Sequence, residues 1–228
     1  MARDVHQAVR AACLWLPEAE EFMSHGAPNF RVRGKTFATY VVNHHGDGRV
    51  ALWLTAPPGS QELHTRAQPN HFFIPPYVGP RGWLGVNLDR GLKWQRIAEL
   101  IREGYEKVAP AALRARVGKT PPLRAPDRAL SESEIDPFKA PRAVKVLQRL
   151  RKICSSFPQC SEGSQFGHPV WMAGKKTFVI ARFAERRLTL CFWVGVEQQG
   201  LLTADPRYQI PPYFGHNGWI ALDVDRSC

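Results

Sequence analysis

The sequence predicts an α+β protein of two tandem modules, each an antiparallel sheet packed against helices. Three observations carry this reading: a long internal repeat, a helix-period segment opening each copy, and short β-like runs punctuated by turn residues. Leu16-Pro17 returns as Phe157-Pro158, Gly26-x-Pro28-x-Phe30 as Gly167-x-Pro169-x-Trp171, and Lys35-Thr36-Phe37 as Lys176-Thr177-Phe178, all at an offset of 141. Ile74-Pro75-Pro76-Tyr77-x-Gly79 returns as Ile210-Pro211-Pro212-Tyr213-x-Gly215, and Gly82-Trp83 as Gly218-Trp219, at an offset of 136. Solenoid units run to about 20–50 residues, so a repeat this long is a whole small domain.

The elements follow in order. Residues 4–16 read as an amphipathic helix, with Asp4 as N-cap, Val5, Ala8, Val9, Ala12 and Leu16 at helical spacing, and Pro17 as the stop. Its counterpart runs from Pro141 to Phe157, with Val146, Leu150, Ile153 and Phe157 on one face. Strands are predicted at 30–33, 35–42 and 49–54, the last two joined by His44-His45-Gly46-Asp47-Gly48, and again at 170–173, 176–183 and 188–194, with a turn around Glu185-Arg186. Short helices at 59–67 and 197–204 precede the Pro-Pro-Tyr segments, whose paired prolines preclude a central strand. Final strands cover 83–88 and 219–224. In the first module a helix over 93–108 follows, with Trp94, Ile97, Ala98, Ile101 and Tyr105 in register. The second module is expected to lack it and to cover the equivalent sheet face with the linker, the first module or a second chain. The expected domains are therefore 1–116, a Pro/Arg-rich linker at 117–140, and 141–228.

The formal net charge of +11 is unevenly spread. Residues 141–228 carry 12 Lys and Arg against 6 Asp and Glu, net +6, whereas residues 1–109 carry 13 against 10. Such a field attracts polyanions, with nucleic acid the first candidate. Five cysteines without a CxxC pair, Cys13 matching Cys154 across the repeat, fit reduced and mostly buried thiols and not a disulfide framework or a zinc site. With neither a signal-like N-terminus nor a long apolar run, the expectation is a cytoplasmic protein outside the membrane.

Several of these residues together resemble the MmcQ/YjbR family of small bacterial α+β domains. They are Leu16-Pro17 followed by Glu18, Glu20 and Glu21, His25-Gly26-x-Pro28-x-Phe30, Gly34-Lys35-Thr36-Phe37, Pro75-Pro76-Tyr77, and Gly82-Trp83 leading to Leu88-Asp89. Gly167-His168-Pro169-x-Trp171, Lys175-Lys176-Thr177-Phe178 and Gly218-Trp219 extend the resemblance to the second copy. It implies an antiparallel sheet packed against helices and DNA binding, a label that rests on likeness to a double-wing DNA-binding domain. It supplies no catalytic residues. A family member is normally one module ending in a helix, a pattern from which the second copy departs.

The candidate sites are basic. Arg31, Arg33 and Lys35 in the first module, and Lys175, Lys176, Arg182, Arg186 and Arg187 in the second, fall on strands or hairpin ends that could straddle phosphates. On the helix opening the second module, Arg142, Lys145, Arg149 and Lys152 share one stripe, with no acid among residues 142–154. Trp83, Trp219, Tyr77 and Tyr213 recur at equal positions, which reads as core in preference to a stacking platform. His44, His45 and Asp47 read as a turn and not a metal site, since adjacent residues at a strand end point to opposite faces. No HExxH, GxSxG, P-loop or GxGxxG stands in the chain, and Glu18, Glu20 and Glu21 are joined by no nucleophile or oxyanion donor. The expectation is a non-enzymatic nucleic-acid-binding protein, contacting DNA through phosphates, with no cofactor and no metal. The alternative is a small-ligand or protein interaction module with its pocket near the Pro-Pro-Tyr and Gly-Trp segments.

Overall fold

A computed structural model describes residues 4–184 and 187–224. The chain forms two compact units divided between Ser131 and Glu132, with His44–Asp47 grouped with the second.

The first unit opens with α1 (Val5–Leu14), capped by Asp4, whose carboxylate accepts from Gln7 N–H at 2.7 Å while the Gln7 side chain accepts from Asp4 N–H. Strands β1 (Ala19–Ser24), β2 (Ala27–Val32), β3 (Lys35–Val42) and β4 (Val50–Leu54) follow as an antiparallel meander. Next come α2 (Ser60–Ala67), the two-residue β5 (Phe72–Phe73), β6 (Leu84–Asn87), α3 (Trp94–Val108) and the short α4 (Ala111–Arg114). The strand order is β1-β2-β3-β4-β6-β5. One face of this sheet receives α3, which buries Ile97, Ala98, Leu100, Ile101 and Tyr105. The Tyr105 ring meets Phe37 edge-on at 5.5 Å, and its hydroxyl donates to the Pro17 carbonyl at 2.7 Å. Ile97, Leu100 and Ile101 each contribute about 1.5–3 kcal/mol by leaving water, so α3 is a main fastening of the unit.

The second unit repeats this plan. After α5 (Glu132–Ile135) and a 3-10 turn at Pro137–Lys139 come α6 (Pro141–Cys154), β7 (Cys160–Gln165), β8 (His168–Ala173), β9 (Lys176–Ala184) and β10 (Arg187–Trp193). Then follow α7 (Val196–Leu202), β11 (Tyr208–Gln209) and β12 (Trp219–Asp223). The strand order, β7-β8-β9-β10-β12-β11, is that of the first sheet element for element. Both sheets shift register at the same place, between Phe30 and Arg31 and between Trp171 and Met172. The core joins Ala143, Leu147, Leu150 and Cys154 of α6 to Val179, Ala181, Leu188 and Leu190 of the sheet. Phe138, within the segment expected to be linker, packs on this core and meets Phe183 edge-on at 5.1 Å. Further along the same face, Ile153, Phe157 and Phe192 line an apolar groove of about 470 Å³, with Ile153 and Phe157 exposed.

Four strands depart from the sequence reading: the two-residue β5 and β11, and the longer β1 and β7. β1 and β7 fall where no strand is expected, because their residues (AEEFMS and CSEGSQ) lack an apolar alternation. Backbone pairing in tight hairpins places them instead. His25 and Gly26, at φ 50 and 75, and Phe166 and Gly167, at φ 52 and 78, are the two left-handed central residues of a type I′ turn, whose twist matches the flanking strands. The predicted helix end at Phe157 also moves back to Cys154.

Candidate functional site

The basic residues divide sharply by partner. In the first unit Arg31 pairs with Glu20 at 2.8 Å and lies over the Phe22 ring, and Arg33 pairs with Glu18 at 2.6 Å. Of these three candidates only Lys35, exposed at the β2–β3 turn, has no ion-pair partner among the described residues. In the second unit Lys175 and Lys176 are exposed at the β8–β9 turn. Arg186 lies outside the described residues.

On α6, helical geometry separates the faces. Ala143, Leu147, Leu150 and Cys154 are buried, while Lys145, Arg149 and Lys152 are exposed on one stripe with no ion-pair partner among the described residues. Arg142, expected on that stripe, is instead engaged with the sheet, donating to the Val224 carbonyl at 3.2 Å. Arg151 is also taken up: it holds Glu162 of β7 through two bonds of 2.6 Å. That bidentate hydrogen bonding keeps the Glu162 carboxyl below the usual carboxylate range. In the first unit Arg10 and Glu21 form the same helix-to-strand pair, joined by His6. Glu21 and Glu162, matched across the repeat, therefore fasten a helix to the outermost strand.

Arg182 and Arg187 lie on the sheet face opposite α6. Strand alternation puts Arg182 of β9, Thr189 and Cys191 of β10 and Asp223 of β12 on that face. With Gln209 and the Ile210-Pro211-Pro212 segment they line a pocket of about 230 Å³. Arg187 pairs with Asp223 at 3.4 Å. The Nε of Arg182 is buried and has no hydrogen-bond partner among the described residues. Burial pushes the Cys191 thiol up to about 11, against the opposing pull of Arg182. Burial and then the Arg182 charge lower His168, so its imidazole is neutral near pH 7. Cys191, Gln209 and Asp223 were not among the expected site residues. The signal that could have found them is a comparison of the repeats across strands, not along them.

The repeated aromatics require a correction. Trp83 and Trp219 are half-buried, but Tyr77 and Tyr213 are 68% and 91% exposed. Both tyrosines have left-handed backbones, φ 62 and 70, as the Pro-Pro-Tyr arch turns outwards. The arch is braced from behind. Gln61 Nε2 donates to the carbonyls of Gly79 and Trp83, and Gln199 Nε2 to those of Gly215 and Trp219. Gly79 and Gly215 admit this packing because a Cβ there would meet Ile74 or Ile210 at 2.5 Å. His44 and His45 lie in a 3-10 turn, and no group of three or more potential ligands for a metal ion occurs among the described residues. Cys13 and Cys154 are buried thiols, both raised by burial first, Cys154 to about 11. No described helix is long and apolar enough to cross a membrane.

The YjbR family model matches residues 14–107. The match spans the first unit from the end of α1 to the last turn of α3. A crystal structure of the Deinococcus radiodurans protein DR2400, described as a DUF419 domain, is similar at 22% identity with a TM-score of 0.42, covering 50% of this chain and 88% of that one. No curated protein matches the chain.

Proposed function

We propose that the chain is a tandem of two YjbR-like modules, with the same fold order and divergent surfaces, that binds nucleic acid without catalysis. The second module makes the contact, to the phosphates of duplex DNA. The observation that carries this reading is the exposed, acid-free stripe of Lys145, Arg149 and Lys152 on α6. At 1.5 Å per residue the stripe is about 10 Å long, and phosphates along one strand recur about every 3.4 Å of helix axis, so three cations meet about three phosphates. Lys175 and Lys176 add charge in the same module. The first module, with Arg31 paired to Glu20 and Arg33 sharing Glu18 with Arg116, contributes less.

Phosphate contacts release counterions, with a log–log salt slope of about −0.9 per contact on duplex DNA. Replacing Arg149 and Lys152 with Ala should flatten that slope by about two units and weaken all sequences alike, because phosphate contacts position without specifying. Both side chains are exposed, so the fold survives the change. Fluorescence anisotropy of labelled duplex over a salt series reads the slope, and an unchanged slope in the double variant removes α6 from the interface. Absence of binding at low salt removes the nucleic-acid reading itself.

A further inference from the structure

We propose that the pocket on the second unit's sheet binds a small organic carboxylate, held by Arg182. This is independent of the nucleic-acid reading, which rests on α6.

Register shows how the pocket arises. Val41 pairs with Ala51 in the first sheet as Arg182 pairs with Thr189 in the second. Ala51 in turn pairs with Asn87, and Thr189 with Asp223; Trp53 pairs with Gly85, and Cys191 with Ala221. Finally Phe73 pairs with Gly85, and Gln209 with Ala221. At these matched places the first unit has Val41, Ala51, Trp53 and Phe73 in one apolar cluster capped by Trp83 and Val78. The second unit has Arg182, Thr189, Cys191 and Gln209. Replacing an indole by a thiol opens the space, and replacing two apolar side chains by a guanidinium and an amide makes it polar. The Gly85 position reports the same exchange, since a Cβ there would meet the Phe73 ring at 2.6 Å, whereas Ala221 faces Gln209.

Charge and shape select the ligand. Among the described lining residues, two guanidiniums against the Asp223 carboxylate leave one net positive charge, matching a monoanion. Arg187 is engaged with Asp223, whereas Arg182, whose guanidinium lies 6.0 Å from the Phe214 ring, has a buried Nε with no hydrogen-bond partner among the described residues. A planar guanidinium presents parallel donors that fit the two oxygens of a carboxylate. The Cys191 thiol, pushed up to about 11 by burial, adds no negative charge at neutral pH. Ile210, Pro211 and Ala221 give an apolar wall for the body of the acid. A volume of about 230 Å³ lies below the range of about 300–1,000 Å³ usual for drug-sized ligands, so the acid is small.

The test uses the full chain and 4-fluorobenzoate as probe, followed by fluorine NMR. Saturable broadening is expected, and its absence overturns the proposal. Arg182→Val and Cys191→Trp install the residues of the first unit; each should weaken binding at least about tenfold, and Arg182→Gln gives the same loss with a polar side chain that keeps the fold. Unchanged binding in both Arg182 variants refutes the site. Neutral 4-fluorobenzamide should bind at least tenfold more weakly than the benzoate; equal binding would mean an apolar cavity only. Inorganic phosphate should compete poorly, and displacement at a lower concentration than benzoate itself overturns the carboxylate assignment in favour of phosphate. The Arg149→Ala, Lys152→Ala variant should titrate as the parent does; loss of probe binding there would place the probe on α6 and not in the pocket.

Discussion

Gly104 sits in the interior of α3, where substitution by Ala ordinarily stabilises a helix by about 1 kcal/mol. Here the sign should reverse. A Cβ on Gly104 would lie 2.7 Å from the Thr55 backbone carbonyl oxygen, well inside contact distance, and that atom cannot swing aside as a side chain could. The same Thr55 donates its hydroxyl to the Gly104 carbonyl at 2.7 Å, so moving the helix away also strains a buried hydrogen bond. Overpacking costs about 1–3 kcal/mol and a lost hydrogen bond about 0.5–1.5 kcal/mol, which together exceed the propensity gain. Gly104→Ala should therefore destabilise the first unit by about 1–3 kcal/mol. Gly200 in α7 is the internal control: a Cβ there meets nothing within 4 Å, so Gly200→Ala should stabilise by up to about 1 kcal/mol. Hydrogen exchange by mass spectrometry over urea, reading peptides of α3 and α7 separately, distinguishes the two. Increased protection of α3 in Gly104→Ala would refute the reasoning that close approach of α3 to β4 dictates this glycine.

Tyr105→Phe should cost about 1–3 kcal/mol by leaving the Pro17 carbonyl without its donor, measured as a lower urea midpoint of the first unit's transition. Because the Glu162 carboxyl is held below its usual range, its pair with Arg151 contributes stability above pH 4.5 that is lost as pH falls through the depressed value. Glu162→Gln should accordingly flatten the acid limb of the second unit's stability curve, and a curve unchanged from the parent would show that the pair contributes nothing.

Much of the fold was legible because the repeat and the hydrophobic period agree. α1, α3 and α6 each present an apolar stripe that ends at a stop signal, and β3, β4, β9 and β10 are rich in β-branched and aromatic residues. β1 and β7 were not legible, because the turn and the backbone ladder dictate them and their side chains scarcely alternate. The stripe on α6 was legible as a charge pattern, but the loss of Arg142 to the Val224 carbonyl depends on where the strand β12 ends. The outward Tyr77 and Tyr213 show the reverse error, since repetition marks conserved geometry as readily as a core. The pocket lay beyond linear reading: its side chains come from β9, β10, β11 and β12, and only the register brings Arg182, Cys191, Gln209 and Asp223 to one face.

The helix-to-edge ion pairs have a dynamic consequence. β1 and β7 are the outermost strands of their sheets, tied inward by one ladder and, through Glu21 and Glu162, to the preceding helix. Exposed pairs of this kind hold by about 0–1 kcal/mol and weaken with salt. Beyond these, Gln165 donates its amide to the Thr177 hydroxyl at 3.0 Å and Cys160 packs towards the core, while Ser161, Glu162 and Ser164 face solvent. The β7 edge is thus expected to exchange its amides ahead of the central strands β9 and β10, the six-residue ladder to β8 being its main tie. Ionic strength then acts on this unit twice, screening the α6 cations from the outside and loosening the edge strand from within.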